Sequence, residues 1–153
     1  MITGRLAGIA RHDRKRGPVE TLESIAIGRE GGVPGDYASG VASQKIARKR
    51  QLSLIERAGW EAALAEIGGE LGWWHARRNF LLEGLRLPRA AGTRLRIGAS
   101  LVIEITDQCT PCHRMEALLP GLHDAMRPDW RGGFLARVEQ DGAVAVNDQI
   151  RIL

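Results

Sequence analysis

Apolar residues fall along this chain in short runs of strand length, separated by charged or glycine-rich stretches. Residues 2–10 carry Ile2, Leu6 and Ile9, and residues 19–27 carry Val19, Leu22, Ile25 and Ile27. Both runs alternate loosely and predict strands on either side of the charged turn Arg11-His12-Asp13-Arg14-Lys15-Arg16-Gly17-Pro18. Further strand-like runs lie at 79–85, 93–97 and 100–106, the last reading Ser100-Leu101-Val102-Ile103-Glu104-Ile105-Thr106. Residues 134–139 and 143–152 predict a closing hairpin across Asp141-Gly142, a pair that tolerates the positive φ of a tight turn. Only residues 54–67 show a sustained helical period, through Leu54, Ile55, Ala58, Ala62 and Ile67. Ser53-Leu54-Ile55-Glu56 fits a capping box at its start, and Gly68-Gly69 ends it. A short helix is expected after Cys112, because Met115, Leu118 and Leu119 share a face before Pro120-Gly121. Residues 28–44 contain Gly28, Gly31, Gly32, Pro34, Gly35 and Gly40 and predict a long loop, a feature usually tied to function in compact domains. There is no internal repeat. The pattern therefore predicts a mainly β fold, a barrel or sandwich with helical insertions, formed as a single domain over residues 1–153.

Composition narrows the function more than the fold. The 22 basic residues exceed the 18 acidic ones by four, an excess too small for a dedicated nucleic-acid binder but compatible with a local anion site. Arg supplies 19 of those 22 residues and Lys only 3. Guanidinium groups grip phosphate and carboxylate bidentately, although a GC-rich genome produces the same bias. Glycine accounts for 19 of 153 residues, which argues for turns and close backbone approaches rather than a helical bundle. No stretch approaches a membrane span, and the opening residues lack the apolar core of a signal peptide, so a cytoplasmic location without membrane association is expected.

The two cysteines, Cys109 and Cys112, form one Cys-x-x-Cys in a chain with no other thiol. This suggests reactive or ligating sulfur in a reducing compartment. A strand, then Cys109-Thr110-Pro111-Cys112-His113, then a helix reproduces the local order of a thioredoxin active site. The likeness is local: the 41 residues after Cys112 read as a loop and hairpin, and 108 residues precede Cys109. A thioredoxin-like thiol redox protein is nevertheless the alternative function, beside a non-catalytic carrier or binding module. Structural zinc is weaker, since four ligands are wanted and no second Cys-x-x-Cys or His-x-His exists. Two buried cysteines acting as small apolar side chains would be the bland outcome.

Several motifs occur together in order: Gly35-Asp36 in a glycine-rich loop, Arg50-Gln51-Leu52, Arg77-Arg78-Asn79-Phe80 with Gly84, Gly92-Thr93-Arg94-Leu95-Arg96-Ile97-Gly98, Leu101 to Thr106, Pro111-Cys112, Gly133-Phe134 and Asn147-Asp148-Gln149-Ile150. In that order and spacing they resemble the MOSC domain, the module named for the C-terminal part of molybdenum cofactor sulfurases, over nearly the whole chain. The resemblance implies a barrel-like β fold and a standalone bacterial-type member. It also implies binding of the molybdenum cofactor (molybdopterin), or transfer of sulfur onto it through one cysteine, as a sulfurtransferase or a molybdenum-cofactor-dependent oxidoreductase component. Some relatives reduce N-hydroxylated compounds. Others are fused to a pyridoxal-phosphate cysteine desulfurase, so a desulfurase or an electron-transfer protein is the implied partner. Pyridoxal phosphate itself is only a family association, because Lys15, Lys45 and Lys49 are the sole lysines and none has an aldimine context.

By motif the functional cysteine is Cys112, ligating molybdenum or holding a persulfide; Cys109 falls on a position that the family does not require. A soft thiolate suits the metal, and Arg donors suit the phosphate of the pterin. The implied cofactor residues are Arg77, Arg78 and Asn79, joined by Arg50 and Thr106. Strand alternation would put Arg77 and Asn79 on one face and Arg78 on the other, with the first two converging with Arg50 beside Cys112. The bland counterpart for the Arg-Arg-Asn segment is salt bridging on a strand surface, and for Arg48-Lys49-Arg50 it is a solvated loop. Asp36 is expected to pin its glycine loop through backbone amides. Trp60, Trp73 and Trp74 could stack on a pterin but suit core packing better, and His113 either tunes Cys112 or stands exposed.

Overall fold

Seven strands close into a ring in the computed structural model, which describes residues 3–153. The ring order is β10 (Gln149–Ile152), β6 (Arg94–Ile97), β7 (Leu101–Gln108), β8 (Phe134–Gln140), β4 (Leu52–Glu56), β5 (Phe80–Glu83) and β1 (Thr3–Arg11), and β10 pairs back onto β1. A short β2 (Glu20–Leu22) extends the sheet beyond β1, while β3 (Ser24–Ile27) and β9 (Gly142–Ala145) form a separate two-stranded ribbon. The mainly β, barrel-like expectation is met. Of the first predicted run, Ile2 lies outside the described residues. No helix among the described residues is long and apolar enough to cross a membrane.

The apolar alternation read from the sequence builds the barrel interior. Leu6, Ile9, Leu52, Leu54, Phe80, Leu82, Leu95, Ile97, Ile103, Phe134, Val138 and Ile150 share one core. All pairings in the ring are antiparallel except β4 with β5, which are parallel in the register Leu54↔Phe80 and Ile55↔Leu81. A parallel pair needs a crossover, supplied here by α2 (Arg57–Ile67) and the 3₁₀ turn Trp73–Ala76. Alternate residues of β4 and β5, Ile55 and Leu81, face outward into a second core with Trp60, Ala63, Met115, Leu122 and Met126. Every residue of β4 is thus buried, as expected for a strand covered on both faces.

That double burial corrects the expected helix start. Residues 52–56 belong to β4, and α2 begins only at Arg57. The Ser53 hydroxyl and amide are both engaged with the Asn79 side chain, and Glu56 provides no cap. The carboxylate of Glu56 instead accepts from Arg86, Arg89 and the Leu87 amide, so ladder and ion-pair partners outcompeted the capping box. The sequence signal for the helix end is met, with Gly68 left-handed at φ 64°.

Three other expectations are corrected. The stretch 28–44 is not wholly loop: α1 (Tyr37–Ser43) forms there because Asp36 caps it, its carboxylate accepting from the Ser39 amide at 3.0 Å. The hairpin across Asp141-Gly142 does not form, since β8 pairs with β7 and β4, β9 with β3, and β10 with β6 and β1. Sealing the ring and covering the ribbon bury more than a local turn would. The run 19–27 likewise divides at Glu23 into β2 and β3, which pair with different partners. The helix expected after Cys112 is present as α3 (Met115–Leu118), followed by α4 (Leu122–Ala125).

Two adjacent glycines bring the cysteine segment against the barrel. At Gly133, where φ is 112°, an added Cβ would fall 2.1 Å from the Leu54 carbonyl oxygen; at Gly132 it would fall 2.4 Å from that of Cys109. Only glycine permits both approaches. The Gly133 carbonyl can then accept from the Cys109 amide at 2.8 Å.

Glu56 is 3% exposed in a strand wall, so removing its carboxylate leaves Arg89 and the Leu87 amide without their main acceptor. Glu56→Ala is expected to lower the unfolding free energy by about 3 kcal/mol, the usual result of breaking a buried ion pair. Chemical denaturation checks this, and a loss under about 1 kcal/mol would mean the network is worth no more than an exposed pair.

Candidate functional site

The segments that enter or leave four barrel strands surround one cleft of about 790 Å³. The turn after β1 contributes His12, Lys15 and Arg16; the residue pair before β4 contributes Arg50; the turn before β5 contributes Trp74, His75, Arg77 and Arg78; the segment after β7 contributes Cys112, Arg114, Met115 and Leu118. Six lining residues are Lys or Arg, and none is Asp or Glu. Tyr37, Trp74 and Leu118 are exposed apolar groups on the same lining. The cleft thus offers positive charge beside aromatic and aliphatic surface.

The two arginines before β5 are held differently from the expectation. Arg77 is not in a strand: it ends the 3₁₀ turn in the left-handed region at φ 63°, and β5 begins only at Phe80. Alternation therefore does not apply, and Arg77 and Asn79 do not share a cleft face. Arg77 Nη1 donates to the Gly17 carbonyl at 2.7 Å, which ties the β1–β2 turn to this wall. Arg78, only 6% exposed, donates from Nε to the Gly132 carbonyl and from Nη1 to that of Ala76, both at 2.8 Å. Both arginines line the cleft, and in each the Nη2 group is buried with no acceptor in the protein. Buried donors are nearly always satisfied, so these two unpaired groups stand out among the lining residues.

Electrostatics agree with that geometry. Burial, with Arg114 nearby, holds the Arg77 guanidinium below its ordinary value against the pull of Asp36. His12 is likewise held below its ordinary 6.5 by burial, opposed by Asp36 and assisted by Arg77 and Arg50. Its Nδ1 lies 3.6 Å from the Asp36 carboxylate, whose Oδ1 also accepts from the His12 amide at 3.1 Å. Asp36 thus pins backbone amides as expected, at Ser39 and at His12.

Of the residues singled out from the sequence, Cys112, Arg77, Arg78 and Arg50 come together in the cleft. Asn79 does not. It is buried, its side chain accepting from the Ser53 amide and donating to the Ala10 carbonyl, so it fastens β4 and β1 to the start of β5. Thr106 donates to the Lys49 carbonyl at 2.6 Å and is not in the lining. The Arg48-Lys49-Arg50 run is divided: Arg50 lines the cleft, whereas Arg48 donates to the Arg29 carbonyl. Trp60 and Trp73 pack in the second core, leaving Trp74 as the tryptophan of the cleft. His113 Nδ1 stands 4.0 Å from the Cys112 sulfur. Cys112 is exposed and Cys109 buried, both as free thiols. A closed barrel, with a helix of only four residues after the pair, excludes the thioredoxin fold that the local order suggested.

Sequence reasoning missed His12, Lys15, Arg16, His75 and Arg114. The first three sat in a run read only as a turn, and its density of charge was the available signal. Arg114 follows Cys112 by two positions.

The MOSC domain model matches residues 30–151. Among solved structures, the YuaD protein from Bacillus subtilis superposes with a TM-score of 0.76 at 19% identity, over 97% of this chain and 94% of that one. YiiM from Geobacillus stearothermophilus gives 0.71 at 16% identity, covering 98% of this chain and 75% of the other. YiiM from Escherichia coli gives 0.69 at 15%, covering 97% and 69%. At these identities the likeness is one of fold. No curated protein matches the chain.

His12 provides a direct test of the cleft's electrostatics. Its folded pKa lies below 6.5, so the unfolded chain takes up the proton first as pH falls. The His12 contribution to stability is therefore full above that value and is lost as pH drops towards the folded pKa. Proton NMR of the imidazole should give a midpoint below 6.5 that rises when sulfate is added, because an anion offsets Arg77 and Arg50. A midpoint at or above 6.5 without added anion, or one indifferent to sulfate, would contradict the cationic cleft.

Proposed function

The chain belongs to the MOSC domain family, and on that premise we propose that its cleft holds the molybdenum cofactor, with Cys112 as the sulfur that ligates molybdenum or carries a persulfide. One observation carries this reading: an exposed thiol shares a cleft with six Lys or Arg side chains and no carboxylate. The donor set fits the group. A pterin bearing a dithiolene and a phosphate needs a soft sulfur at one end, fixed cationic donors at the other and an apolar surface between. Cys112, the Arg77–Arg78 pair and exposed Trp74 with Tyr37 offer these in turn. A volume of about 790 Å³ lies within the range of small-molecule sites.

In this reading Arg78 anchors the anionic end. Its Nε and Nη1 are fixed by the Gly132 and Ala76 carbonyls, which holds its charge at the cleft wall. Arg77 adds a second donor, and Arg50 and Arg114 supply longer-range attraction. Asn79 and Thr106 support the walls through their backbone bonds rather than touching the ligand. When bound, the cofactor would supply a redox-active metal and dithiolene sulfur. Cys112 would supply or receive the sulfur atom, drawing on a cysteine desulfurase, or the protein would work with an electron-transfer partner.

The test is retention of molybdenum and pterin after expression in a cofactor-producing host. Wild type should copurify with both. Charge-assisted hydrogen bonds of about 1.5–3 kcal/mol imply that Arg77→Ala binds roughly ten- to a hundredfold more weakly. Cys112→Ser should lose metal retention or sulfur loading, whereas Cys109→Ala should keep both. Equal retention in wild type, Arg77→Ala and Cys112→Ser would refute the proposal.

A further inference from the structure

Most of the exposed apolar side chains and all of the lysines gather at the cleft and on the loop that leads into it. Among the described residues six large apolar side chains are exposed, and three of them, Tyr37, Trp74 and Leu118, line the cleft. Val41 stands one turn of α1 beyond Tyr37, on the same side of that helix. Ile46 is fully exposed in the loop that runs from α1 towards β4 and reaches the cleft at Arg50. Hydrogen bonds hold that loop: the Ala47 carbonyl accepts from Arg137, and Arg48 donates to the Arg29 carbonyl, while the Ile46 side chain stays in solvent.

Charge follows the same distribution. Lys45-Ile46-Ala47-Arg48-Lys49-Arg50 sets the isoleucine between cations, and Lys15 lies in the cleft lining, so the three lysines of the chain all belong to this region. The loop and the lining together hold nine of the 22 basic residues and none of the 18 acidic ones, which leaves 13 basic against 18 acidic residues elsewhere. A net charge of +4 thus conceals a strongly cationic region on a chain that is otherwise net acidic. Acids next to it in sequence are committed: Asp13 pairs with Arg14, Asp36 caps α1, and Glu116 accepts from the Gly121 amide.

We propose that this region docks on the surface of an anionic lipid bilayer, with Ile46 inserted below the headgroups, Trp74 and Tyr37 at headgroup depth, and the lysines and arginines against the phosphates. Charge complementarity selects a polyanion, and the exposed apolar groups select a bilayer over a nucleic acid. Lysine is depleted from protein interfaces, whereas every cation held near an anionic bilayer adds to the attraction. Trp and Tyr are the side chains that collect at a membrane interface. A protruding aliphatic group on a protein partner needs a matching pocket, but a bilayer accepts it without one. Binding of this kind requires no spanning segment, whose absence is the ground for expecting no membrane association from the sequence. It does not depend on what the cleft holds.

The experiment mixes the reduced full chain with sedimentable vesicles of phosphatidylglycerol and phosphatidylcholine, and with vesicles of phosphatidylcholine alone. Wild type should pellet with the anionic vesicles at low salt, stay in solution with the neutral ones, and be released as salt is raised. Lys45→Ala combined with Lys49→Ala should weaken binding roughly twenty- to thirtyfold. Ile46→Ser should weaken it about tenfold. All three positions are exposed, and an unchanged thermal melt checks that the variants fold. Brominated lipid in the anionic vesicles should quench tryptophan fluorescence of wild type, and Trp74→Phe should abolish most of that quenching, as expected if the cleft mouth meets the bilayer. Wild type that stays in solution with anionic vesicles, binding unchanged in Ile46→Ser or in the double lysine variant, or quenching that survives Trp74→Phe would each overturn the proposal. Capture on polyglutamate beads without vesicle binding would overturn it in favour of an acidic protein surface.

Discussion

Ring closure by β10 is the constraint from which the rest of the molecule follows. Gln149–Ile152 pairs with β6 on one side and β1 on the other, so the seven-stranded ring keeps no free edge. A closed ring of this size is filled by its own side chains, here Leu6, Leu54, Phe80, Leu95, Ile103 and Phe134 among them. These side chains pack the interior as one core. Chemistry is accordingly displaced to the segments between strands, and the parallel β4–β5 pair forces the longest helix, α2, onto the outer wall. The turn that returns from α2 to β5 carries Arg77 and Arg78, so the topological exception and the cationic donors occupy the same stretch of chain.

Arg78 shows how one side chain can be structural and functional together. Its bonds to the Ala76 and Gly132 carbonyls join the turn before β5 to the glycine pair that seats the cysteine segment. Those bonds immobilise the guanidinium and leave its Nη2 group without a partner. A lysine could not divide its charge this way, because only the planar fork presents several donors in fixed directions. Opposite it, Arg77 reaches the Gly17 carbonyl and fixes the β1–β2 turn, whose Lys15 and Arg16 complete the positive lining. The acid 3.6 Å from the His12 ring, Asp36, is buried and committed to capping α1.

Much of the fold was legible because alternation in β6 and β8 coincides with true inside–outside burial, while β1 and β7 carry the apolar runs of strands buried on both faces over part of their length. The sequence misled where local and tertiary preferences competed. Ser53 to Glu56 has the composition of a capping box, yet both faces of that segment are covered and its polar groups found partners in Asn79, Arg86 and Arg89. Asp141-Gly142 has the chemistry of a tight hairpin, but the strands on either side belong to different sheets. At the site, the thiol and three arginines could be read from residue type and motif. Asn79 could not be placed: an amide that binds a ligand and one that binds backbone look alike in sequence. His12 was hidden within a charged turn that only the folded chain brings to the cleft.

The most direct measurement is a crystal structure of the chain purified anaerobically from a host that makes the molybdenum cofactor. The account predicts density for a phosphate-bearing pterin in the cleft, with anionic oxygens against Nη2 of Arg78 and Arg77 and the Cys112 sulfur at the metal end. Pterin bound elsewhere, or a filled cleft in which both guanidinium groups still lack an acceptor, would contradict it.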